Sequence, residues 1–217
     1  MEYDQTLALV KLRLEQELDK REVSPADIVA SKRSLSALYS TVYHLATRER
    51  IPQALIYAQC VTCMQDFSMS LVEGVDSANS LLELDIQLKD LLAMYHLGAK
   101  KILLVYRYLD MFHVYFFSLP PLAVTSRQMF NQHVFYKVAF PSVFEQLVVR
   151  ACGDDEHELM DFPPTIANQL EIWNGTHHDW TQTRLEIAKR KWLVCRLLSK
   201  SSPLPSELIR VVCGLLG

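Results

Sequence analysis

The stretch KKILLVYRYLDMFHVYFFSLPPL, Lys100 to Leu122, decides the fold class. Between Ile102 and Phe117 only Arg107, Asp110 and His113 interrupt its apolar residues. Wound at about 100° per residue, those side chains cover most of the circumference, whereas an amphipathic surface helix needs an apolar stripe only somewhat wider than about 100°. The pattern predicts a central helix buried on more than one side. Ser118 to Leu122 then stops it, because a residue before proline is pushed out of the α region and Pro120 and Pro121 cannot continue the hydrogen-bond ladder.

Working outward, the upstream chain repeats the helical period. Leu7, Val10, Leu14 and Leu18 fall on one face, with Lys11, Arg13, Glu15 and Glu17 outside it, which predicts a first helix over Asp4 to Lys20. Ser24 before Pro25, with Asp27 close behind, is an N-cap signal for a second helix, starting at Pro25 or restarting near Ser31. That helix carries two ridges, Leu38, Val42 and Leu45 on one side and Leu35, Tyr39 and Tyr43 on the other, and the core needs only one of them. A third helix is expected from Pro52 to about Glu73, ended by Gly74. A fourth, capped by Asp76 or Ser77, turns Leu81, Leu82, Leu84, Leu88, Leu91, Leu92 and Tyr95 inward and ends near Gly98.

Downstream, Thr125 or Ser126 is expected to cap a sixth helix through Phe130, Val134 and Phe135, bent at Pro141 and running to Cys152–Gly153. The acidic segment GDDEHELMDFPP, Gly153 to Pro164, is the natural boundary between a domain of residues 1–152 and a helical extension of residues 153–217. Short helices are expected there over Pro164 to Trp173, Trp180 to Leu198 and Ser206 to Leu216. No segment alternates as a strand, so the fold class is all-α.

Composition narrows the function. Half of the 217 residues are apolar, enough for a sizeable core, and the formal charge of −3 comes without any long run of one sign. Neither nucleic acid nor an anionic membrane is called for. The longest stretch without a formal charge, Met111 to Ser126, contains the Pro-Pro break and falls short of the roughly 20 apolar residues of a membrane span. The 5 cysteines are scattered and odd in number, and the N-terminus has acids where a signal peptide wants bases, so a cytoplasmic or nuclear location is expected.

Candidate chemistry is thin. Cys60-Val61-Thr62-Cys63 has zinc-knuckle spacing, and His177-His178 would complete four ligands, but no second such pair accompanies it, and the two cysteines fit a buried helical face better. The His177-His178-Asp179 run reads as a polar turn with a helix cap. Arg184, Lys189, Arg190, Lys191 and Arg196, with Trp180 and Trp192, interleave with apolar residues and read as a solvated helix face rather than a nucleic-acid site. With no phosphate loop, nucleophile elbow or paired carboxylates, neither catalysis nor a cofactor or metal is expected.

Two segments carry a family resemblance. YRYLDMFHVYFFSLPPL resembles the helix and turn in the first N-terminal repeat of cullins, especially plant-type cullins of the first class, where a Tyr-Leu-Asp helix ends in Ser-Leu-Pro-Pro-Leu. SLSALYSTVYHLAT, Ser34 to Thr47, resembles the cullin helix with a Leu-Tyr-Thr-x-Val/Ile-Tyr core, and FNQHVF, Phe130 to Phe135, resembles the helix after the Pro-Pro turn. The likeness spans Leu7 to Arg150. It implies a cullin-repeat-like helical bundle with a smaller C-terminal helical extension, acting as a non-catalytic scaffold that binds a BTB/POZ-fold adaptor carrying the substrate receptor of a ubiquitin ligase.

By position, the resemblance implies adaptor-facing residues at Leu35, Ser36, Tyr39 and Tyr43 on helix two and at Val105, Tyr108, Met111 and Phe112 on the central helix. The chain departs from the family where a tyrosine and a methionine become Leu35 and Ser36, and where two arginines before Ser-Leu-Pro-Pro-Leu become Phe116 and Phe117. The sequence given ends before the domain with which cullins recruit a RING subunit, so no RING partner is expected, and the chain would compete for an adaptor or represent a fragment or degenerate copy. The alternative is a helical interaction module unrelated to ubiquitin ligation.

Overall fold

The computed structural model describes residues 2–20, 24–49, 51–73, 75–76, 78, 80–152 and 162–201, and all regular structure among them is helical. The helices are α1 Glu2–Asp19, α2 Pro25–Thr47, α3 Gln53–Ser70, α4 Leu81–Val105, α5 Arg107–Leu109, α6 Leu122–Phe130, α7 Tyr136–Val138, α8 Phe140–Cys152 and α9 Pro164–Ser201. Short π-helical stretches, Asp110–Val114 and Asn131–Phe135, extend α5 and α6. The all-α class is thus observed.

The chain forms two compact units, Met1–Ser77 with Ile86–Val138, and Ala78–Asp85 with Ala139–Gly217. The expected boundary within residues 153–164 lies almost wholly outside the described residues.

The first unit is organised by a heptad seam. Ser24 accepts from the Asp27 backbone N–H while the Asp27 carboxylate accepts from the Ser24 backbone, a complete capping box, and α2 then runs unbroken from Pro25. Its buried residues are Ser31, Leu35, Leu38, Val42 and Leu45, spaced alternately by four and three. Leu35 therefore belongs to the core ridge with Leu38, and not to the outward ridge with Tyr39 and Tyr43. On α1 the matching seam is Leu7, Val10, Leu14 and Glu17, which places Glu17 inside and leaves Leu18 only partly buried. The Glu17 carboxylate survives there because hydrogen bonds from Lys20 and Ser34 outweigh the burial that would otherwise raise its pKa, leaving it lowered.

On α4, Leu82 points to solvent and not inward, 66% exposed in the first turn, and Gly98 does not end the helix. A Cβ there would stand 2.2 Å from the Phe67 ring, so this glycine serves close packing inside a continuous helix. Phe67 stacks on Tyr95 at 5.8 Å, and Tyr95 donates from its hydroxyl to the Ser126 carbonyl at 2.8 Å. The break comes instead at Tyr106 (φ −101°, ψ 11°), which splits the expected central helix after Val105.

The second unit centres on Phe140, whose ring meets Trp173 at 5.0 Å and Trp180 at 5.8 Å. Asp85, buried, accepts from the Ile166 backbone N–H at 3.0 Å and the Thr165 hydroxyl at 3.2 Å, satisfying the start of α9. The expected turn at His177-His178-Asp179 narrows to one non-helical residue, His177 (φ −131°), within α9. The expected helix Ser206 to Leu216 lies outside the described residues.

Candidate protein-interaction surface

The surface is built by the end of the central helix and the outward face of α2. Its end is a Schellman closure: Ser118 N–H donates to the Tyr115 carbonyl at 3.4 Å and Leu119 N–H to the Val114 carbonyl at 3.0 Å. The pivot, Ser118, has φ 50°, a left-handed conformation that glycine ordinarily supplies. Across the Pro-Pro turn, Asp110 accepts from the Leu122 backbone N–H at 2.8 Å. That bond caps α6 from outside, so α6 begins at Leu122 and not at Thr125 or Ser126, both of which are buried. The Tyr-Leu-Asp and Ser-Leu-Pro-Pro-Leu segments are therefore one structural device, a helix end stapled to the next helix start.

Above this staple, aromatic rings form a continuous ladder. Tyr39 and Tyr43 stack along α2 at 6.2 Å, Tyr43 meets the edge of Tyr108 at 5.3 Å, and Tyr108 stacks on Phe112 at 4.7 Å. Tyr108 is the buried rung, and its hydroxyl accepts from Gln53 Nε2 of α3 at 3.1 Å. The neighbouring side chains are unusually bare: Met111 is 63% exposed, Tyr115 81%, Phe116 80% and Phe117 66%. Isolated exposed apolar residues are ordinary, but a run of this kind marks an interaction surface.

Beneath the run, His113 is buried between Tyr57 at 5.4 Å and Phe117 at 4.7 Å, with its Nδ1 lacking a partner. Burial lowers its pKa, holding it neutral. Further inside, burial raises the Cys60 thiol and pushes Cys63 up to about 11. Both are free thiols in the core, with Cys63 Sγ 3.8 Å from the Tyr106 hydroxyl, an environment opposite to that of a reactive thiolate.

Of the residues expected to face a partner, Ser36, Tyr43, Met111 and Phe112 are exposed and Tyr39 is half-buried. Tyr108 joins them from within the ladder. Leu35 and Val105 are excluded from the surface: both are core residues, Leu35 through the α2 seam and Val105 at the last turn of α4. The expectation omitted Tyr115, Phe116 and Phe117. Their signal was present, since three successive aromatic residues cannot all face one core from one helix.

Among the described residues no group of three or more histidine, cysteine or acidic side chains could hold a metal ion, and no helix is long and apolar enough to cross a membrane. Trp173 stacks on His177 at 4.0 Å, and Arg184 lies 4.6 Å over Trp180, so these rings are engaged within the chain itself. What fold and surface define is an all-α protein with an exposed aromatic face. The chain matches no family model, no curated protein and no solved structure.

Proposed function

We propose that this chain is a non-catalytic scaffold, a cullin-repeat-like module whose α2 and central-helix end dock on a BTB/POZ-fold adaptor of a ubiquitin ligase in the cytoplasm or nucleus. The observation supporting it is the ladder Tyr39–Tyr43–Tyr108–Phe112. It joins at one face two segments about sixty residues apart in sequence, both assigned to adaptor binding by the resemblance. Aromatic side chains supply large contact area at low entropic cost and dominate the energetics of docking.

A second reading has its own support. Leu35 is a core residue where the resemblance places an adaptor-facing tyrosine, which favours a helical interaction module unrelated to ubiquitin that uses the same surface. Calorimetric titration of the full chain against a panel of purified BTB/POZ-fold adaptors separates the two. Binding that Phe112→Ala removes supports the ligase scaffold; absence of binding to every adaptor rejects it in favour of the unrelated module.

A further inference from the structure

Two exposed cations border the aromatic surface. On α2, Lys32 lies seven residues before Tyr39, two turns along the same face, and on the central helix Arg107 lies four residues before Met111. Both are exposed, and neither has an ion-pair or hydrogen-bond partner among the described residues. No carboxylate occurs between Lys32 and Tyr43, and no formal charge between Met111 and Ser126. The nearest acid on the central helix, Asp110, is committed to the Leu122 backbone N–H. A chain of net charge −3 thus offers its most apolar face with exposed cations, unpaired among the described residues, at two positions on its border.

We propose that the partner's docking face is an apolar patch bordered by carboxylates, which meet Lys32 and Arg107 while its centre covers Tyr43, Phe112 and Met111. This rests on the docking reading above and names the chemistry of its partner. The apolar centre supplies affinity, and the charged border steers encounter and fixes register, the usual division of labour in a protein interface. An anionic membrane fits less well. Lipid recognition by charge uses clusters of about four to eight basic residues, and rings packed on one another as Tyr43, Tyr108 and Phe112 are present a fixed relief rather than side chains free to insert.

The test uses two synthetic helical peptides sharing one leucine and phenylalanine face, one flanked by glutamates and the other by lysines. Binding to the full chain is followed by fluorescence anisotropy. At low salt the glutamate peptide is expected to bind about tenfold tighter, and at about 0.5 M salt, where screening is short-ranged, the preference falls to about twofold. Lys32→Glu combined with Arg107→Glu inverts the preference, whereas Phe112→Ala weakens both peptides alike. Equal affinity for the two peptides, or binding of neither, overturns the proposal and leaves adaptor docking to be judged by the titration above. Cosedimentation with phosphatidylserine vesicles in preference to either peptide assigns the face to lipid and overturns it as well.

Discussion

In the proposed docking, adjacent residues of α2 have opposite jobs, and truncating them one at a time separates folding from recognition. Leu38 is 4% exposed in the seam between Leu35 and Val42, whereas Tyr39 is half-buried and stacks on the ring of Tyr43. Leu38→Ala removes buried methyl groups and leaves a cavity, costing about 2 to 5 kcal/mol. In a chain of this size each kcal/mol lowers Tm by about 2–4 °C, so differential scanning calorimetry should show a drop of about 6–12 °C for a mid-range loss. Tyr39→Ala forfeits one aromatic pair, about 1 kcal/mol, and Tm should fall by only a few degrees. Its effect belongs to binding: an aromatic anchor inside an interface costs about 2 kcal/mol on truncation, roughly thirtyfold in Kd for a bound adaptor. If Tyr39→Ala unfolds the chain while Leu38→Ala is silent, the two faces have been exchanged. If neither alters binding of an adaptor that the parent chain holds, α2 is not part of the docking surface.

Three further outcomes follow from the geometry. Ser118→Gly relieves a left-handed residue and should stabilise the chain by about 1 kcal/mol, visible as a rise in Tm; a fall would mean that the Ser118 side chain makes a compensating contact. Gly98→Ala gains helix propensity of about 1 kcal/mol but drives a Cβ into the Phe67 ring, so the chain should lose about 1 to 2 kcal/mol, and Phe67→Leu in the same chain should recover it; an undisturbed Tm would show that Phe67 moves aside freely. Because His113 has a lowered pKa, the unfolded chain takes up its proton near the usual 6.5 and the folded chain resists it. Stability is then fully present above about pH 6.5 and is lost as pH falls through that value. Replacing His113 by phenylalanine should reduce the fall in urea-melt stability between about pH 7 and 5.5, the remainder coming from His133, whose pKa burial also lowers, and an unchanged slope would refute the assignment.

Much of the fold was legible because its signals are local. The capping box at Ser24 and Asp27 and the apolar period of α1 and α2 act within one helix, and so did the absence of alternating strands. What escaped the sequence depended on neighbours. Gly98 looks like a helix end until Phe67 is brought against it. Glu17 looks solvated until α1 and α2 settle into a seam with alternating steps of three and four, which selects Glu17 over Leu18. Thr125 and Ser126 look like caps, but the cap came from Asp110 across a turn. Leu35 was assigned outward for the same reason: the sequence shows two apolar ridges on α2, and only packing decides where each side chain belongs.

The two halves of the resemblance therefore carry different information. Asp110 with Ser118 to Leu122 is explained by the staple: Asp110 holds the start of α6, Ser118 closes the preceding helix, and Pro120 and Pro121 span the gap. Any chain needing that turn gains from those residues whatever it binds, so their likeness speaks for architecture. In the proposed docking, partner choice falls to the side chains held outward, Met111, Phe112, Tyr115, Phe116 and Phe117, together with Tyr39 and Tyr43. With Phe116 and Phe117 exposed and the cations Lys32 and Arg107, unpaired among the described residues, at its border, the face fits the proposed partner, an apolar centre with carboxylates at its edge.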